Sequence, residues 1–373
     1  MLEWMRSVSF LLVGLCLQVA AGQAPRKAPS ALAGELVRSG TAAQQQGDFK
    51  TAIDDYRKAL AIEPGLADAR ISLGAALAAA GQYDAAIEED MRALTAAPRD
   101  AAIRMNLAMA YYRKGDLNQA QFELEAIHMA RPDDLAAAVL LGYTYNKQGK
   151  EREAADLLAP FEAGHESNTE LEYVLAYAMI QSGKQSEGLP RMEKVASVKR
   201  SADAWVIAGS ARFYRGEMEL ARSDLDAAVE LNPSLPGLYT LAGQARYAML
   251  DMPAATEAFQ AALRADPMDF VANRDLGAMR LKEGNYESAK PMLELALQLH
   301  PGDPLTRLEV AKVNEMTGKY AEAATILEDL ERSDPRWLDP HWLLASVYSE
   351  LNRPEDAKRE RALAHEIETR QKR

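Results

Sequence analysis

The sequence predicts an all-α solenoid, a single array of about ten paired-helix repeats, and three observations carry that expectation. Small residues recur in the same order every 34 residues or so. Prolines keep the same interval, at Pro64, Pro98 and Pro132 and again at Pro233, Pro267, Pro301 and Pro335. No β-branched run with period-two alternation interrupts the helical pattern. A single hydrophobic core would be unusually large for 373 residues, so length alone calls for several domains or a repeat. The composition agrees with the repeat: 48% of residues are apolar, many of them Ala, and only 7% are aromatic.

The first segment reads as a leader. Arg6 and Glu3 precede an apolar stretch from Val8 to Ala21, the length of a signal-peptide core and short of the ~20 residues that span a bilayer. Val19, Ala20 and Ala21 supply small side chains for cleavage, which predicts a secretory signal over residues 1–22, with an uncleaved anchor as the alternative. The expected location is outside the cytoplasm, periplasmic or secreted, with no stable membrane insertion after cleavage. Cys16, the single cysteine, lies inside this leader. A processed chain would then hold no thiol for a disulfide, a metal or a nucleophile. Leu15 before Cys16 disfavours lipidation. Residues 23–32 read as a polar, proline-containing linker.

The array follows. Counting Ala202 as position 1 of its repeat, the pattern divides the chain into 33–66, 67–100, 101–134, 135–168, 169–201, 202–235, 236–269, 270–303, 304–337 and 338–371. Position 8 holds Gly40, Gly74, Gly142, Gly209, Gly243 and Gly277, and position 20 holds Ala in nine repeats. Small side chains there let two helices approach closely. Glycine at position 15 ends the first helix in the left-handed conformation, and proline at position 32 stops the second. Large apolar residues at position 24 are expected to fill the space between repeats. Asp90 at that position, Leu250 in place of the turn glycine, and Pro190 and Pro291 at position 22 depart from the pattern. The two prolines are expected at a tolerated early turn of the second helix. Glu355 to Arg373 reads as a charged capping helix.

Trp205, Gly209, Gly216, Ala221, Ala228 and Pro233, at positions 4, 8, 15, 20, 27 and 32, resemble the tetratricopeptide repeat, a 34-residue helix–turn–helix unit. The resemblance implies a right-handed superhelix and a protein-binding role. It also implies that positions 2, 5, 9, 12 and 13 of each first helix line the concave face. In repeats three to seven these are Met105, Met109, Tyr112, Arg113, Val139, Tyr143, Asn146, Lys147, Tyr173, Tyr177, Phe213, Tyr214 and Tyr247. Aromatic and Met side chains supply contact area, while hydroxyls, Asn146, Lys147 and Arg113 fix orientation. The family's carboxylate clamp for chaperone tails is not matched at positions 5 and 9, so that function does not carry over.

A net charge of −12 and the lack of a basic stripe exclude a nucleic-acid partner. His128, His165, His300, His341 and His365 are scattered, with no metal spacing and no second ligand type beside them in the sequence. No phosphate loop, dinucleotide fingerprint or nucleophile elbow is present, and no metal, cofactor or catalytic residue is expected. Acidic pairs such as Asp54-Asp55 and Glu88-Glu89 read as solvated faces. The expected function is a non-enzymatic scaffold that binds an extended peptide or helix of a protein partner. The alternative is a glycan-binding scaffold of an envelope polysaccharide export machine, because tyrosines in a groove also suit sugar rings.

Overall fold

The computed structural model describes residues 30–371; the expected leader and residues 23–29 of the expected linker lie outside that range, and the last two linker residues already belong to the first helix. Among the described residues the regular structure is α-helical, twenty helices in ten consecutive pairs, with no strand. The first helices of the pairs are α1 (Ala31–Gln45), α3 (Ala67–Ala79), α5 (Ala101–Lys114), α7 (Leu135–Lys147), α9 (Thr169–Gln181), α11 (Ala202–Tyr214), α13 (Leu238–Ala248), α15 (Phe270–Lys282), α17 (Pro304–Met316) and α19 (Leu338–Glu350). The second helices are α2 (Phe49–Ile62), α4 (Tyr83–Ala96), α6 (Leu117–Ala130), α8 (Glu151–Leu158), α10 (Gln185–Lys199), α12 (Met218–Leu231), α14 (Met252–Ala265), α16 (Tyr286–Leu299), α18 (Tyr320–Ser333) and α20 (Pro354–Gln371). None is long and apolar enough to cross a membrane.

Local chemistry places the ends. Asp100, Asp134, Asn168, Asp269 and Asp303 cap first helices, their side chains accepting backbone N–H groups two or three residues on. Each such cap contributes about 1 kcal/mol. Ile62, Ala96, Ala130, Leu231, Ala265, Leu299 and Ser333 each end a second helix two residues before a proline. The turn inside the repeat needs a left-handed residue, and where glycine is missing Leu250 (φ 63°) and Asn352 (φ 56°) adopt that conformation.

Packing explains the glycines at position 8. A Cβ built on Gly40, Gly142, Gly209, Gly243 or Gly277 would meet Tyr56, Leu158, Leu225, Phe259 or Leu293 at 2.6–2.9 Å. In every case the obstacle is position 24 of the same repeat, so these large residues fill space within their own repeat, across the helix pair. The alanines at position 20 are buried throughout. In the fifth repeat the small residues exchange places: Ala176 stands at position 8, and a Cβ on Gly188 would lie 2.8 Å from the Ala176 carbonyl oxygen.

Two expectations are corrected. Pro190 and Pro291 lie inside α10 and α16, beyond the first turn, and both helices continue through them. Each removes one backbone hydrogen bond without ending the helix. Asp55 and Glu89 are not solvated: Asp55 is 8% exposed and accepts from Ser39 Oγ at 2.7 Å, and Glu89 accepts from Arg70 at 2.6 Å. The fourth repeat departs most in its second helix, where α8 gives way to a 3-10 turn over Ala159–Phe161 that contains Pro160.

The chain falls into two compact bodies, one ending at Ile207 and one beginning at Ala208. Within each, buried alanine, leucine and aromatic side chains form a string of small clusters. Leu73, Leu77 and Tyr56 anchor one in the first body, and Phe259 and Leu276 anchor one in the second.

Candidate functional site

In the first body the residues assigned to the inner face come together on α5, α7 and α9. Met105, Met109 and Tyr112 are partly buried against the cluster of Leu124, Ile127, Leu140 and Leu141, so much of their apolar surface serves packing. Lys147, the last residue of α7, is exposed and holds its Nζ 4.5 Å from the centre of the Tyr112 ring. Burial, and then the charge of Arg113, lower the Lys147 pKa. Arg113 and Lys147 both sit in the last turns of their helices, where the helix dipole favours a cation.

The tyrosines behind this edge are more enclosed than the repeat positions alone imply. Tyr173 is 9% exposed, which corrects its assignment as an accessible contact: its ring packs 6.5 Å from that of Tyr143. The Tyr143 hydroxyl is itself out of contact with solvent. Asn146 donates from Nδ2 to the Val174 carbonyl at 3.1 Å, which ties α7 to α9. Tyr177 stays half-exposed. Burial raises all four phenols, Tyr112 to about 12 and Tyr143 well above its ordinary value. Their hydroxyls therefore stay protonated near pH 7.

Phe213, Tyr214 and Tyr247 belong to the second body. Tyr214 is 79% exposed and its ring meets Phe213 edge-on at 5.4 Å. The Tyr247 hydroxyl accepts from Lys282 Nζ at 2.5 Å, and the ring packs on the Phe259 cluster.

A recurrent polar clamp escaped the sequence reading. Position 4 of a first helix bonds position 23 of the second helix, nineteen residues on. Arg70 pairs with Glu89, and Arg104 with Glu123; each guanidinium also donates to the preceding repeat's proline carbonyl, Pro64 or Pro98, at 2.9 Å. In the fifth repeat the polarity is reversed, with Glu172 at position 4 and Arg191 at position 23, and Arg191 also holds Glu162. In the tenth, His341 takes the arginine's place: its Nδ1 lies 2.8 Å from Glu360 Oε2 and its Nε2 3.1 Å from the Pro335 carbonyl. The signal in the sequence is a pair of columns, positions 4 and 23, in which Arg and Glu recur together.

One carboxylate is strongly perturbed. Asp90 is fully buried, neither of its oxygens has a hydrogen-bond partner among the described residues, and burial pushes its pKa up to about 8. Perturbed acids often mark catalytic sites, yet this one points at Gly74, where an added Cβ would lie 2.1 Å from Oδ1. No substrate could reach it there, and its effect falls on stability.

Family comparison matches the model described as tetratricopeptide repeat over residues 43–89, 92–142 and 280–342, and a second model of the same description over 240–304. Among curated proteins the chain is similar to the TPR repeat-containing thioredoxin TTL4 of Arabidopsis thaliana, 30% identical over 95 residues. That match covers 26% of this chain and 14% of the relative, a small part of its length. Among solved structures it is similar to a tetratricopeptide repeat protein from Parabacteroides merdae, with a TM-score of 0.54 and 18% identity, covering 72% of this chain and all of that one. It is also similar to Pseudomonas aeruginosa pilF, with a TM-score of 0.51 and 20% identity, covering 56% and 96%. At these identities the likeness is one of fold.

Proposed function

This chain belongs to the tetratricopeptide repeat family, and from that premise we propose that it is a non-enzymatic scaffold holding a peptide segment or helix of a protein partner on the first helices of repeats three to five. The observation that carries the reading is the edge formed by Tyr112, Arg113 and Lys147. Two cations lie close enough for one to depress the pKa of the other, in a protein whose net charge is −12. An incoming carboxylate is attracted to this positive edge, while the aromatic ring and Tyr177 supply apolar contact beside it. The ligand is therefore a segment with an acidic group next to an apolar or aromatic side chain. A sugar ring stacks on an open aromatic face, and here the ammonium of Lys147 already lies over Tyr112, which favours the peptide over the glycan. The apolar leader and the confinement of cysteine to Cys16 support work outside the cytoplasm.

Selection of a random peptide library on the purified chain tests this reading. Enriched peptides should carry the acidic–apolar pairing. They should bind Lys147→Glu and Tyr177→Ala at least about tenfold more weakly, about 1.4 kcal/mol each, with circular dichroism unchanged. Peptides that bind both variants as tightly as the parent would overturn the proposed surface.

A further inference from the structure

The clamp at the C-terminal end differs in charge from its counterparts. At the fifth and tenth repeats a third place, position 28 of the preceding repeat, joins positions 4 and 23; the residues at the same three positions differ from junction to junction. In repeats two and three these are Leu60, Arg70 and Glu89, and Leu94, Arg104 and Glu123, so one guanidinium meets one carboxylate. At the fifth repeat they are Glu162, Glu172 and Arg191, with the guanidinium between two carboxylates. At the tenth they are Glu331, His341 and Glu360. Two carboxylates flank an imidazole, and no permanent cation occupies any of the three places.

We propose that Glu331, His341 and Glu360 form a binding site for a divalent transition-metal ion. One ligand atom from each residue lies within 4.8 Å of the other two. His341 and Glu360 are buried, with side chains 2% and 0% exposed. Glu331, half-buried, opens the cluster toward solvent. The surroundings orient the donors as a metal site requires. Nε2–H donated to the Pro335 carbonyl leaves Nδ1 as the ligand, the usual outer-shell arrangement for a metal-bound histidine. Arg359 Nε donates to Glu360 Oε1 at 3.1 Å, which leaves Oε2 facing the imidazole.

Neighbouring donors on a tetrahedral ion stand about 3.3 Å apart, given bonds of about 2.0 Å. The 2.8 Å between Nδ1 and Oε2 therefore opens by about 0.5 Å on binding, within reach of a side-chain rotation. One imidazole with two carboxylates suits zinc and its neighbours better than magnesium or calcium. The three ligands come from α18, α19 and α20, so the ion would fasten the last helix to the repeat before it. This site is independent of the proposed peptide surface, which lies in the other body.

Zinc chloride added to the purified full chain tests the assignment by thermal unfolding and by titration calorimetry. The parent protein should show a zinc-dependent rise in melting temperature, reversed by a chelator. Glu331→Gln keeps the His341–Glu360 pair and removes one ligand. Its zinc affinity should fall at least tenfold, with a melting temperature in chelator no lower than the parent's. His341→Arg rebuilds the Arg–Glu clamp of repeats two and three and should fold without any zinc response. No zinc-dependent rise in the parent, or a response kept by Glu331→Gln, overturns the site whatever His341→Arg does. A response kept by a folded His341→Arg overturns it as well.

Discussion

The second and seventh repeats each break one rule of the array and keep the other. In the second, the turn is regular, with Gly81 at φ 76°, but the core position opposite Gly74 holds the unpartnered Asp90. In the seventh, the core is regular, with Phe259 fully buried against Gly243, but the turn is made by Leu250 at φ 63°. The same backbone geometry thus carries a buried carboxyl group in one place and a strained leucine in another. A repeat stacked between neighbours draws stability from both interfaces, so a single local fault does not unfold it. Core and turn also fail independently, because one depends on contacts across the helix pair and the other on the conformation of one residue.

Emptying the sound core should have the largest effect. Phe259→Ala is expected to lose about 3–5 kcal/mol, read as a shift in the urea unfolding of the second body. A loss below about 1 kcal/mol would mean that the Phe259 cluster is not the anchor described above.

Repairing the faulty core comes next. Leucine already occupies the place of Asp90 opposite Gly142, Gly209 and Gly277, so Asp90→Leu is expected to gain about 2 kcal/mol near neutral pH. The gain should grow with pH, and the sign follows from the raised pKa. Folding lifts this acid from 3.8 to about 8, so the folded state keeps its proton where the unfolded chain has lost it. That contribution is complete below about pH 4, declines as pH rises, and is exhausted above about pH 8. Unfolding of the parent followed across this window should weaken as pH rises, and the same series on Asp90→Leu should be flatter. Parallel pH profiles would show that the carboxylate is solvated.

The smallest effect is at the turn. Leu250→Gly should stabilise by about 1 kcal/mol, because a left-handed L-residue carries that order of strain. The reverse change at the regular turn, Gly81→Leu, should lose a similar amount. If Leu250→Gly destabilises, the 76% exposed leucine contributes a contact that outweighs its backbone strain.

Helix phase was legible in the sequence because its causes are local. A cap such as Asp134, a turn glycine such as Gly149 and a stop such as Pro132 act within about four residues of the ends they set. The inner-face residues could be assigned to helix positions for the same reason, yet their accessibility could not. Tyr173 and Tyr177 lie one turn apart on α9, and one is closed off against Tyr143 while the other stays half-exposed. That difference arises from how α7 and α9 pack together.

The sequence by itself determined that the chain is a row of paired helices and where two backbones must touch. Tertiary structure alone decided which polar groups meet: Glu89 with Arg70, Glu360 with His341, and Asp90 with no hydrogen-bond partner among the described residues. The physical reason is reach. Backbone turns and caps are closed by neighbours along the chain, whereas an ion pair nineteen residues long exists only once two helices have crossed at a given angle and water has been removed from between them.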